Sequence, residues 1–165
     1  MIRKSLVRYG GRSLRLLLHG SKWVAAGALI FDPDGRLLLV RHRFRRAWEY
    51  PVGMADGTES PLESAAREVA EEVGLKPQLK FVGVDFFHRR TPNGNLVFTF
   101  AGTVDQLQID AMELDKLELT GYRWADRAEA LEIISDRHKP RLARLLQAYD
   151  EGCPVYLETG QIPAI

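Results

Sequence analysis

Apolar residues along this chain fall into short runs separated by turn formers, with one longer amphipathic stretch among them. Residues 23–31 form a compact apolar run, and Asp32-Pro33-Asp34-Gly35 follows as a strong turn signal. A second apolar run at 37–40 completes the pattern of a hairpin with a buried face. Residues 79–87, 96–104 and 118–125 read as further strands, the first weakened by Gly83, with a turn at 91–95. Ser60-Pro61-Leu62-Glu63 has the form of a capping box, and Gly74 stands where a helix ends in a left-handed turn. These signals predict a helix over Pro61–Val73. Asp126 predicts the cap of a short helix through Leu131, and residues 140–149 predict a C-terminal helix with Leu142, Leu145 and Leu146 on one face. Short strands with few helices between them argue for an α+β fold rather than a doubly wound parallel sheet.

The helix at 61–73 has two faces. Consecutive residues turn by about 100° around a helix axis. Leu62, Ala65, Ala66, Val69 and Val73 therefore form one stripe, predicted to face the core. Glu68, Glu71 and Glu72 share a neighbouring face, with Glu72 bordering the stripe and predicted to be partly buried. Like charges at this spacing destabilise a helix mildly. A hard divalent cation reverses the sign, because Mg²⁺ takes oxygen ligands and bridges carboxylates to phosphates. Arg67 lies one helical turn from both Glu63 and Glu71 and is suited to hold a carboxylate in place. An acidic helix face alone is more often a solvated surface. The wider pattern decides.

Length and charge narrow the field. The 165 residues suit one folded domain, read as residues 22–165 behind a basic segment at 1–21. A net charge of +1 provides no global field for nucleic acid or a membrane, so neither is an expected partner. The single cysteine, Cys153, allows no internal disulfide and lacks the partners of a zinc site, which fits a cytoplasmic location. The leading segment carries basic residues but no apolar run long enough for a signal peptide or a membrane span. It is read as packing on the domain, and a homodimer stays open.

The helix then joins a longer motif. Gly53, Glu59 and Arg67-Glu68-Val69-Ala70-Glu71-Glu72-Val73-Gly74-Leu75 stand at the offsets of the Nudix box, without a gap or mismatch. Chance agreement is on the order of one in 10⁹ per starting position. The chain thus resembles the Nudix hydrolases over residues 53–75, and in element order over about 23–149. The resemblance implies a Nudix fold, with a mixed β-sheet sandwiched between α-helices. It implies Mg²⁺ as cofactor, with Mn²⁺ able to substitute. By that resemblance Glu71 and Glu72 are metal ligands, and Glu68 is a third ligand or the base that deprotonates water. Glu59 supports the site from the loop, Arg67 pins a catalytic glutamate, and the backbone carbonyl of Val52 is a further ligand. Glu118 resembles the later acid that such proteins add to the site, with Glu113 and Asp115 as weaker competitors. The sequence departs from the usual form at Val52, where glycine or alanine is common, which bears on the loop's conformation.

The implied reaction is attack of water on a diphosphate linkage. Arg41, Arg43 and Arg46, upstream of the box, are expected to hold substrate phosphates. Trp48 is expected to stack on a base, with Tyr50, Phe86 and Phe87 as further aromatic candidates. Glu49-Tyr50-Pro51-Val52-Gly53 is similar to the entry of the ADP-ribose and nucleotide-sugar branch, which favours a nucleoside diphosphate linked to another moiety. Hydrolysis of nucleoside triphosphates is the main rival, followed by a non-catalytic nucleotide sensor. Such sensors usually lack a box glutamate, and none is missing here.

Overall fold

Asp32 closes the first turn with its own side chain. Its carboxylate accepts the backbone N–H of Asp34 (3.0 Å) and of Arg36 (2.7 Å), and the Arg36 Nε (2.6 Å). In the computed structural model, which describes residues 23–44, 47–87 and 94–164, this turn joins β1 (Trp23–Phe31) to β2 (Leu37–His42). The predicted hairpin forms, but its strands pair at one position only, Phe31 with Leu37. They then splay apart. The free edge of β1 is taken by β4 (Val52–Met54), and β2 pairs with β3 (Trp48–Glu49).

The other edge of β1 pairs in parallel with β6 (Asn95–Thr103), which pairs antiparallel with β5 (Lys80–Phe87). β7 (Leu119–Ala125) lies antiparallel to β2, and β8 (Val155–Glu158) lies parallel to β5. The result is a mixed sheet with β1 and β2 at its centre, burying both faces. Side chains alternate across it as the strand period requires. Ala26, Ala28, Ile30, Leu38 and Val40 pack under helix α1 (Pro61–Val73). Leu29, Phe31, Leu37 and Leu39 pack on the opposite face against α3 (Arg127–Ile133) and α4 (Lys139–Glu151). The fold is α+β with the sheet between helical layers, as expected.

Helix α1 ends as its sequence dictates. The Ser60 hydroxyl accepts the Glu63 N–H, Glu63 returns the bond to the Ser60 N–H, and Gly74 takes a φ of 73°. The buried face differs from the expected stripe. Leu62 and Ala66 are exposed, while Ser64, Ala65, Val69, Glu72 and Val73 are buried. The helix is therefore rolled toward its carboxylates, and Glu72 lies inside the protein rather than at its border. The alanines of β1 leave room for this close seat.

Several other elements depart from the sequence pattern. Glu118 precedes β7 rather than belonging to it. The short strands β3, β4 and β8 and the one-turn helix α2 (Gln106–Asp110) have too few residues to show a periodicity. The basic segment at 1–21 and residues 91–93 of the predicted turn lie outside the described residues. Behind the sheet, buried Asp85 accepts Arg141 Nε (2.6 Å) and the Gly160 N–H (3.0 Å), tying α4 and the turn after β8 to β5. Among the described residues no helix is long and apolar enough to cross a membrane.

Leu38 is fully buried under α1. Leu38→Ala is expected to lower unfolding free energy by about 2–5 kcal/mol in denaturant titration. A loss below about 1 kcal/mol would mean that α1 does not seat on this strand as described.

Candidate active site

The roll of α1 turns Glu68 toward β4, and Gly53 makes the space. A Cβ on Gly53 would overlap the Glu68 carboxylate, so no other residue fits here without moving that group. Glycine at the head of the box thus sets the position of the Glu68 carboxylate by contact rather than by backbone angle. Val52 beside it is extended and paired with Gly27. A side chain at Gly27 would come within 2.7 Å of the Val52 Cβ, so a glycine on the neighbouring strand accommodates the valine. The unusual residue needs no left-handed backbone.

Arg67 organises the acids around it. Its Nε and Nη2 fork onto Glu59 (2.8 and 3.1 Å), and Nη1 reaches Glu68 (2.8 Å) and Glu71 (3.0 Å). Nη2 also donates to the Met54 carbonyl (3.0 Å), which ties the helix to the loop after β4. The guanidinium and the Asp56 N–H hold Glu59 below the usual carboxylate range. Glu68 moves the other way. Burial raises its pKa against the pull of Arg67, and the charges of Glu71 and Glu118 push it further up. Glu72 is buried, with His42 Nε2 3.7 Å from its Oε1.

Across from the helix, residues 113–118 bring two more acids. A cavity of about 360 Å³ is lined by Glu68, Glu71, Glu72, Asp115 and Glu118. Every lining residue is a carboxylate, an arrangement that favours a hard cation. Among the described residues no three His, Cys, Asp or Glu side chains converge as a ready-made cage. The donor set still fits Mg²⁺, which commonly uses one or two carboxylates and keeps several waters. The cavity has room for that, and Glu71, bonded to Arg67, keeps most of its side chain exposed.

The structure thus brings together Glu59, Arg67, Glu68, Glu71, Glu72 and Glu118. Asp115, ranked below Glu118 from sequence, lines the same cavity, while Glu113 sits against Gly74. Val52 stands beside Gly53 at the edge of the site. Arg41 is exposed in β2. Arg43 directs its guanidinium onto the carbonyls of Lys116 and Leu117. Trp48 packs against the core with Arg123 over its ring, and Tyr50 is buried there. Arg46 lies outside the described residues. A second cavity of about 350 Å³ borders Val52 and Gly53, lined also by Glu49, Phe87, Asn95, Arg137, His138 and Arg141. Sequence reasoning missed its C-terminal contributors. Arg137, His138 and Arg141 lie around the start of α4 and meet the strands only through the fold.

Residues 21–149 match the NUDIX domain family. This chain is a member of that family. Nudix hydrolases cleave acid anhydrides in phosphorus-containing compounds and generally use divalent cations. A MutT-like protein of Streptomyces ambofaciens is 28% identical over 132 residues, 79% of each chain. An RNA pyrophosphohydrolase of Halorhodospira halophila is 43% identical over 51 residues, 31% of this chain. That match spans only 28% of the relative. The NUDIX domain of Shewanella oneidensis NrtR, solved in complex with ADP ribose, superposes with a TM-score of 0.64. It is 16% identical and covers 82% of this chain and 91% of its own length, a likeness of fold.

Two outcomes follow from this geometry. Gly53→Ala is expected to leave the fold intact and lower turnover by about 10²-fold, because it displaces Glu68. Wild-type turnover in the folded variant would remove Glu68 from the chemistry. The raised pKa of Glu68 means that folding favours its neutral form. In metal-free protein its contribution to stability is present at low pH and is lost as pH rises through the raised pKa. The difference in unfolding free energy between wild type and Glu68→Gln, measured in chelator, is expected to shift against wild type as pH rises above the ordinary carboxylate range. A flat difference would contradict the burial of this charge.

Proposed function

We propose that this protein is a Mg²⁺-dependent Nudix pyrophosphohydrolase that uses water to split a diphosphate linkage in a nucleoside diphosphate joined to another moiety. The observation that carries this reading is the cavity lined by five carboxylates beside Gly53. ADP-ribose or a nucleotide sugar is the favoured substrate class. Support comes from the Glu49–Gly53 entry to the box and from the ADP-ribose complex of the NrtR domain. The cavity on the other side of Val52 and Gly53 is of a size suited to a nucleoside.

Glu71 and Glu72 would hold the cation, with the Val52 carbonyl, and Glu118 would complete the set. The bound cation supplies positive charge against the diphosphate oxygens. Glu68 is the residue we assign as base. Gly53 gives its carboxylate room against β4, and Arg67 fixes its Oε1. Arg67 and Glu59 together keep the helix and the loop in register, so the proton acceptor stays aimed at the water. Arg41 is the described arginine we retain for the substrate's phosphates.

Matches to RNA pyrophosphohydrolases favour a second reading, in which the diphosphate lies at an RNA 5′ end. Glu72→Gln is expected to lower turnover by about 10²–10⁴ with the fold retained. Chelation with EDTA is expected to abolish activity, and Mg²⁺ or Mn²⁺ to restore it. The deciding experiment incubates the protein and Mg²⁺ with ADP-ribose, nucleotide sugars, dinucleoside polyphosphates, nucleoside triphosphates and 5′-triphosphorylated RNA. Consumption of one class names the substrate. Binding without consumption would establish a sensor and overturn the hydrolase reading.

A further inference from the structure

We infer that Arg43 is a positioning residue that holds Glu118 in the carboxylate cavity, rather than a ligand of substrate phosphate. The inference rests on the cavity being a metal site. Residues 113–118 have to carry negative side chains toward three glutamates that repel them. Their backbone is pinned at two ends. On the helix side, the Glu113 N–H donates to the Val73 carbonyl (3.2 Å) and the Asp115 N–H to that of Glu72 (3.0 Å). On the sheet side the anchor is Arg43. Its Nη2 donates to the Lys116 carbonyl (2.5 Å), its Nε to that of Leu117 (3.2 Å) and its backbone N–H to that of Glu118 (2.7 Å).

Leu114 and Leu119 pack on the core at either side, but the Leu117 side chain between them is exposed, so the polar bonds fix residues 116–118. The geometry of the anchor comes from β2. The pairing of β2 with β7 shifts register between Arg41 and His42. At that irregularity consecutive residues serve opposite walls of the cavity. His42 meets Glu72 on the helix, and Arg43 meets the carbonyls leading to Glu118. A guanidinium suits this task because its rigid fork engages two carbonyls together. Turned onto these oxygens, it is directed away from a phosphate role.

The test reads Mn²⁺ affinity by electron paramagnetic resonance, without substrate, in wild type, Glu118→Gln, Arg43→Ala and the double variant. Glu118→Gln and Arg43→Ala are each expected to weaken Mn²⁺ binding about 10-fold. In the Glu118→Gln background, Arg43→Ala is expected to add less than about 2-fold, because the two act as one unit. Unchanged Mn²⁺ affinity in Arg43→Ala, with a raised KM for substrate, would show a phosphate ligand and overturn the inference. Independent, additive losses would overturn it too. Should Arg43→Ala not fold, Arg43→Met keeps the alkyl stem and removes the donors. Failure of both to fold makes Arg43 a general stability residue and ends the proposal. Absence of Mn²⁺ binding in the wild type is a separate result, which removes the metal reading itself.

Discussion

The structure depends on keeping several like charges close together inside a small domain. Five carboxylates face one cavity, and two of them, Glu68 and Glu72, are largely withdrawn from water. Arg67 is the counter-charge that makes this tolerable in the absence of a cation. One guanidinium bonds Glu59, Glu68, Glu71 and the Met54 carbonyl, so removing it would release helix and loop together. The compensation is incomplete at Glu68, whose pKa stays raised by burial.

Close approach of backbone makes the arrangement possible. Small residues in β1 let α1 sit deep enough to bury its acidic border, and Gly27 lets β4 pair along the same strand. Gly53 then admits the Glu68 carboxylate against the strand. Each of these is a place where a side chain would separate two elements that the site needs in contact. The central strands β1 and β2 serve both layers, so the functional helix and the C-terminal helices share one rigid support.

Much of this was legible in the sequence, for reasons that are local. The capping box and Gly74 set the ends of α1 because they act within a few residues of themselves. The apolar runs of β1 and β2 marked them as strands, though their pattern predicts a hairpin with one buried face and the structure buries both. The box glutamates and Arg67 share one helix, so their spacing placed them together before any tertiary contact was known. What misled was the assumption that the most apolar stripe of α1 faces inward. Leu62 and Ala66 lost to the fit between Ala65, Val69 and the alanines of β1.

The sequence alone determined the identity of the acidic helix and its limits, because these depend on neighbours along the chain. Only the tertiary structure decided which groups oppose that helix. Asp115 and Glu118 reach the cavity through bonds to Glu72, Val73 and Arg43, and Gly53 meets Glu68 across 15 residues of chain. Such contacts are set by how elements pack and by which backbone atoms remain to be paired, and no periodicity in the chain records either.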